Sequence, residues 1–249
     1  MALTNRQKRI LELIRNQHAA QVADLAGRLG VSEASIRTDL TVLQDQDLIR
    51  RFHGGARPVR SSAYEQRLPL NRQPKRRIAQ RALQFVKPGD TIFLDSGTTV
   101  LMLAQLMVKF DRLTIVTNSV PIATQIGRDQ SNAVILAGGA FNHSEQCCEG
   151  PMTEKFLDHF FAAKAFVGSD AVDVRNGLFS NGVTMFSYLQ KIIHNSRETI
   201  LLVDSSKFDK TGAIKICDLA DIDTIITDTG IPEGSRQALT ALGIRLELV

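Results

Sequence analysis

Tryptophan is absent, tyrosine occurs only twice, and aromatic residues make up 6% of the 249 residues. Single-stranded nucleic acids are gripped by stacking bases on aromatic rings, so this composition gives single-strand recognition little support. Cysteine is nearly as scarce. Cys147, Cys148 and Cys217 cannot all pair within one chain, and two of them are adjacent, which fits neither a disulfide framework nor a zinc spacing. Reduced, buried thiols follow, and neither they nor His143 receive a role. No apolar run approaches the roughly 18 residues needed to cross a bilayer, and the chain enters an amphipathic pattern without the apolar stretch of a secretory signal. A cytoplasmic protein with no metal and no cofactor is the expectation.

What is present is an ordinary globular composition, 43% hydrophobic and 22% charged, in a chain long enough for one large core or two unequal ones. The net charge of +4 is unevenly placed. Between Arg50 and Arg81 there are ten Arg or Lys residues against one acid, Glu65. Such a run suits a solvated linker, and beside a DNA-binding motif it would also lie near phosphates.

The first 56 residues read as three helices and a hairpin. Leu3, Ile10, Leu11, Leu13 and Ile14 give residues 4–17 one buried face; Val22, Leu25, Ala26 and Leu29 do the same for a second helix that ends at Gly30. Ser32 is placed to cap a third helix reaching about Gln46, with Ser35 rather than an acid or amide at the third position, so no full capping box forms. Ile36, Leu40 and Leu43 face inward. Ala34, Thr38, Thr41 and Asp45 face outward, Arg37 flanks them, and Glu33 and Ser35 lie in the first turn. Residues 48–56, LIRRFHGGA, read as a basic hairpin or wing. Together these are the parts of a winged helix-turn-helix, although a small helical module that packs on a partner would share them.

Pro58, Pro69 and Pro74 then punctuate a polar, Arg-rich stretch, which divides the chain into a DNA-binding domain at 1–57, a linker at 58–74 and a larger domain at 75–249. In the larger domain, apolar runs at 91–94, 113–117, 133–136, 165–168, 199–203 and 224–227 alternate with helical stretches. An α/β domain with a mostly parallel, helix-covered sheet is the expected fold class. The segment KRRIAQRALQFVKPGDTIFLDSGTTV (75–100) reads as helix, turn, strand, small polar loop and new helix. Ser96, Gly97, Thr98 and Thr99 would offer backbone N–H groups, hydroxyls and a helix N-terminus to an anion such as phosphate, or would simply cap that helix.

The run VSEASIRTDLTVLQDQDLIRRFHGGA (31–56) resembles the signature of DeoR-type transcriptional regulators. Two positions depart from the family pattern: Ser35 stands for the usual Thr and Thr38 for a second Arg. The resemblance implies that Arg37 enters the major groove with the first turns of the third helix, Ser32, Glu33, Ala34 and Ser35 among them. Thr38 and Thr41 complete that face, while Arg50, Arg51 and His53 lie on or near the wing. The 75–100 stretch is similar both to the DeoR-type sensor domain and to ribose-5-phosphate isomerase, in which the equivalent loop grips a sugar phosphate. Further matches to the DeoR pattern fall at Thr117-Asn118, Gly138-Gly139, Gly168 with Asp170, and 203–207. An effector site built from Lys75, Asp95, Ser96, Gly97, Thr98, Thr99, Asn118, Gly138, Gly139, Asp170 and Lys207 is thereby implied. Each of these residues also has a purely structural use, in turns, caps or backbone conformation.

Function then reads as a DNA-binding regulator, a repressor of a carbohydrate-utilisation operon by the resemblance, controlled by a small phosphorylated sugar or sugar alcohol. It would act as a homo-oligomer, a dimer or tetramer, on double-stranded operator DNA. The rival is a sugar-phosphate isomerase with an accessory helical domain. Asp170, Asp173 and Lys207 could supply its acid–base groups. Against it, the segment 177–190, GLFSNGVTMFSYLQ, contains no acid where the isomerase carries its catalytic glutamate.

Overall fold

The computed structural model describes residues 3–58, 62–128, 131–182 and 186–249, and the chain forms two compact units, Met1–Ser61 and Ser62–Val249. In the first unit, helix α1 (Asn5–Gln17) begins with a capping box in which the Thr4 hydroxyl accepts from Gln7 N and Thr4 N donates to the Gln7 side chain. A short strand β1 (Ala20–Gln21), helix α2 (Val22–Leu29) and helix α3 (Glu33–Asp45) follow. Gly30, at φ 64°, ends α2, and the Ser32 hydroxyl caps α3 by accepting from Ser35 N at 3.3 Å. Strands β2 (Ile49–Phe52) and β3 (Gly55–Pro58) form the wing, and β3 also pairs with β1. The Gly-Gly corner is required sterically: Gly54 sits at φ 79°, and a Cβ on Gly55 would lie 2.6 Å from Ala20 O.

Ile10, Ile14, Leu25, Ile36, Leu40, Leu43 and Ile49 close the core of this unit. A polar pair, Asp39 and Gln7, is drawn into it. The buried Asp39 carboxylate accepts from Arg6 Nε at 2.5 Å and from Gln7 Nε2 at 3.0 Å, pinning α3 to α1.

The second unit opens with α4 (Ala63–Arg67) and α5 (Arg72–Ala82), so the stretch expected to be a linker at 58–74 is partly helical. Ser62 and Glu65 make a capping box, and Tyr64 is buried in the apolar core, which accounts for order in an otherwise polar segment. Pro74 does not end regular structure, because it lies in the first turn of α5, where a backbone N–H has no helical partner to lose.

Next come β4 (Thr91–Leu94), α6 (Thr98–Met107), β5 (Thr114–Thr117), α7 (Val120–Ile126), β6 (Ala133–Leu136), the hairpin β7 (Ala140–Asn142) and β8 (Cys147–Glu149), and α8 (Pro151–Leu157). They are followed by β9 (Lys164–Val167), β10 (Ala171–Asp173), β11 (Gly177–Ser180), α9 (Phe186–His194), β12 (Thr199–Leu202), β13 (Ile214–Cys217), β14 (Thr224–Thr227), α10 (Glu233–Ala241) and β15 (Arg245–Leu248). Seven of these strands make one parallel sheet in the order β15-β14-β12-β9-β4-β5-β6, and β10, β11 and β13 form a small antiparallel sheet.

Alternation along the strands distributes side chains to two cores. Ile92, Leu94, Ile115, Ile200 and Ile226 pack on one face beneath α5, α6 and α7, whereas Phe93, Val116, Leu201 and Ile225 pack on the other beneath α8, α9 and α10. The order of the sheet reverses between β4 and β9. Loops leaving the two strands there diverge to opposite faces, and a crevice opens at their carboxyl ends.

Because Leu40 is fully buried at the centre of the first unit's core, Leu40→Ala is expected to destabilise that unit by about 2–5 kcal/mol. Urea unfolding of the full chain, followed by far-UV circular dichroism, should show an early transition for the helical unit and leave the sheet-containing unit unchanged.

Candidate functional site

The exposed surface of the first unit carries the residues expected at DNA. Ser32, Glu33, Ala34, Arg37, Thr38 and Thr41 are exposed on α3, Ser35 is half-buried, and Arg50, Arg51 and His53 are exposed on the wing. Arg37 Nη2 donates to Glu33 Oε2 at 2.9 Å, one helical turn away. Thr38 turns its hydroxyl back to Ala34 O at 3.1 Å, and Thr41 does the same to Arg37 O at 3.0 Å. Arg51 Nη1 donates to Thr41 Oγ1 at 3.3 Å and so ties the wing to the helix. A 13-residue helix with an exposed N-terminal turn has the dimensions to enter a major groove, and the positive charge beside it comes from the bracing hairpin, since α3 itself carries one Arg against three acids.

In the second unit, a cleft of about 540 Å³ lies at the reversal of the sheet. Its floor is the loop after β4. Asp95 there is buried, with Oδ1 accepting from Ser96 N at 2.7 Å and Oδ2 from Gly168 N at 3.0 Å, so it joins the ends of β4 and β9. Burial pushes its pKa up to about 6, and nearby Asp170 adds to the rise against the pull of the two N–H donors.

Helix α6 starts immediately beyond, at Thr98. Its N-cap is Gly97, which has no side chain to cap the helix, and Thr98 and Thr99 of the first turn line the cleft. Lys207, in the turn after β12, also lines the cleft, as do Lys75 from α5 and Asp170 from the loop after β9. Lys75 is buried and donates from Nζ to Arg67 O at 2.7 Å; burial lowers its pKa, Asp204 opposes this, and Lys207 and Arg67 add to it. Asp170 Oδ2 accepts from Asn181 N at 2.9 Å.

Eight of the expected effector residues therefore share one cleft: Lys75, Asp95, Ser96, Gly97, Thr98, Thr99, Asp170 and Lys207. Three do not. Asn118 is fully buried and binds the β8 backbone, donating from Nδ2 to Cys148 O at 2.9 Å. Gly138 offers its carbonyl to Thr153 Oγ1 at 2.8 Å, and a Cβ on Gly139 would collide with that same hydroxyl. The missing side chain of Gly139 lets β8 and α8 approach the chain after β6, at the edge of the sheet rather than at its reversal. The rival acid–base set is also split. Asp173 lies outside the cleft and accepts from Arg175 N and Asn176 N in the β10–β11 turn.

Sequence reading missed Arg67, Asn71, Glu145 and Asp204 among the cleft's polar residues. Arg67 and Glu145 stand 78 positions apart and no local pattern joins them. Asp204 lay within the 203–207 match to the DeoR pattern. Cys147 is buried with its thiol pushed up to about 12 by burial, in keeping with a structural thiol. Among the described residues, no group of three or more His, Cys, Asp or Glu side chains is placed to hold a metal ion, and no helix is long and apolar enough to cross a membrane.

Residues 6–62 match the model of the DeoR-like helix-turn-helix domain, and residues 70–229 match that of the DeoR C-terminal sensor domain. The chain is 32% identical to the HTH-type transcriptional regulator GlpR of Haloferax volcanii, covering 98% of this chain and 97% of the relative. It is 31% identical to the glycerol-3-phosphate regulon repressor of Escherichia coli K12, covering the whole of both. Among solved structures, ribose 5-phosphate isomerase A of Methanocaldococcus jannaschii superposes with a TM-score of 0.42 at 20% identity, over 55% of each chain.

Asp95 holds its proton to about pH 6 in the folded chain and only to about 3.8 when its environment is lost. Within that window the folded state binds the extra proton, so Asp95 adds stability as pH falls. Relative to Asp95→Asn, the wild-type Tm is expected to rise as pH is lowered from about 7 to about 5. Parallel Tm profiles in differential scanning calorimetry would remove Asp95 from the titrating set.

Proposed function

The chain belongs to the DeoR family of transcriptional regulators, and from that premise we propose how its two units divide the work. The first unit, through residue 61, binds operator DNA, and the second, from residue 62, binds a small phosphorylated sugar or sugar alcohol that alters the grip of the first. The observation that carries this reading is the convergence, at the one reversal of the parallel sheet, of the uncapped α6 N-terminus, the hydroxyls of Ser96, Thr98 and Thr99, and Lys207.

The phosphate sits on the N–H groups of Gly97, Thr98 and Thr99 with Lys207 beside it, and Asp170 accepts from sugar hydroxyls. Lys75 contributes positive potential from the wall. Asp95 acts through the loops it joins, since both of its oxygens already accept backbone N–H bonds. At DNA, Arg37 reads a base edge, Ser32, Glu33, Ala34 and Ser35 bring the α3 N-terminus against the backbone, and Arg50, Arg51 and His53 lie at phosphates. Thr38 and Thr41 contribute groove contacts through their methyl groups, their hydroxyls being engaged by the helix.

The protein represses a carbohydrate-utilisation operon in the cytoplasm, as a homo-oligomer matched to repeated half-sites. The E. coli relative named for a glycerol-3-phosphate regulon supports a polyol phosphate as the class of effector. Coupling between the sites is expected at about 1–3 kcal/mol and operates only through a difference in effector affinity between DNA-competent and DNA-incompetent states.

A thermal-shift panel of phosphorylated sugars and sugar alcohols is expected to single out one ligand by a raised Tm, and that ligand to change the affinity for a duplex selected from a random library. Arg37→Ala should cost about 1–3 kcal/mol in binding that duplex, measured by fluorescence anisotropy. A wild-type chain that prefers no duplex over random competitor would overturn the reading.

A further inference from the structure

Helix α4 has only five residues, too few to persist without tertiary ties, and it is the first helix after the end of the DNA-binding unit. Its ties lead to the wall of the cleft. Tyr64 N donates to Ser144 O at 3.0 Å, in the turn of the β7–β8 hairpin. The Arg67 guanidinium forks onto the neighbouring carboxylate, with Nη1 3.2 Å from Glu145 Oε1 and Nη2 2.5 Å from Oε2. Beyond α4, Lys75 Nζ donates to Arg67 O, and Asn71 Nδ2 reaches Asp204 Oδ1 at 2.9 Å. All of these residues except Tyr64 line the cleft that holds the 96–99 loop.

The fork is accessible. Arg67 and Glu145 retain 29% and 25% of their side-chain exposure, so a solute in the cleft can reach both. Arg67 also lies within the field of Asp95 and Asp170, which places its charge beside the anion-binding floor rather than at a remote rim. A guanidinium presents the same planar pair of donors to a carboxylate and to a phosphate, and it cannot discard its proton to avoid the choice. An anion arriving in the cleft therefore meets a cation that is already paired within the protein.

We infer that Arg67 is an effector-contacting residue and that Glu145 is its intramolecular competitor: an anionic ligand takes the guanidinium from Glu145 and thereby loosens α4, the segment joined to the DNA-binding unit, from the β7–β8 turn. This rests on the effector reading above and deepens it, because it supplies the element with two arrangements that coupling between distant sites requires. The bland alternative is that the ion pair only fastens α4. In that case removing either partner damages the cleft in the same sense.

Opposite signs separate the two. Inorganic phosphate is titrated into the full-length chain at constant ionic strength, and binding is followed by calorimetry in wild type, Glu145→Gln, Arg67→Gln and the double variant. Freeing Arg67 through Glu145→Gln should tighten phosphate binding by at least about fivefold, Arg67→Gln should weaken it by a similar factor, and the double variant should match Arg67→Gln alone. Without phosphate, Glu145→Gln should also shift the affinity for a selected duplex in the direction that phosphate shifts the wild type.

Weakened phosphate binding in both single variants, or an unchanged duplex affinity in Glu145→Gln, overturns the inference while the effector reading stands. A wild type that neither binds phosphate nor selects a duplex takes both down. Should Glu145→Gln lack a cooperative unfolding transition, Glu145→Asp, which draws the carboxylate back by one methylene, carries the same expected direction.

Discussion

Asp95 accepts from Ser96 N and from Gly168 N at the point where the order of the sheet reverses, and the architecture of the sensing unit hangs on that pair of bonds. The ladder between the two strands ends where Asp95 N donates to Phe166 O, and beyond that point their loops run to opposite faces with no backbone ladder to hold them together. A buried carboxylate with one oxygen for each loop does so, at the cost of burying a group that would rather be solvated. The raised pKa of Asp95 is the measure of that cost. Because the loops are tied at their roots, the span beyond them stays open as a cleft, and the start of α6 points into it.

Around this floor the cleft is lined by charge of both signs. Arg67, Lys75 and Lys207 face Asp95, Asp170, Glu145 and Asp204 within one cavity. Part of this charge is already matched within the protein, as the Arg67–Glu145 pair shows. The helical unit is built differently. Its core is apolar except for the buried Asp39 and Gln7, which with Arg6 tie α3 to α1, and the side-chain hydrogen bonds on the exposed face of α3 are short-range.

Local signals made the helical unit legible. Ser32 as cap, Gly30 as terminator, Ile36, Leu40 and Leu43 at helical spacing and Gly54-Gly55 at the wing all act over a few residues, and each is found in the role its chemistry suggests. Five of the parallel strands were equally readable, since burial on both faces leaves a continuous apolar run, and the edge strand β6 keeps such a run although it is partly exposed. The seventh strand, RLEL at Arg245–Leu248, was not, because an edge position tolerates Arg245 and Glu247 and erases the run. Pro74 misled in the other direction, since a proline at the start of α5 and one that breaks a helix look alike until the helix boundaries are known.

By itself the sequence determined the three helices and the wing of the first unit, where the third of those helices begins, the apolar runs of six parallel strands, and that a small polar loop precedes a helix after the first of them. Those properties depend on side-chain periodicity, caps and turn residues, which act between near neighbours. Only the tertiary structure decided that Asn118, Gly138 and Gly139 serve the packing of β8 and α8 rather than the cleft, and that Arg67 meets Glu145 across 78 positions. Which strand ends lie beside the reversal of the sheet, and which side chains an ion pair joins across it, follow from the order in which strands assemble, and no short-range pattern encodes that order.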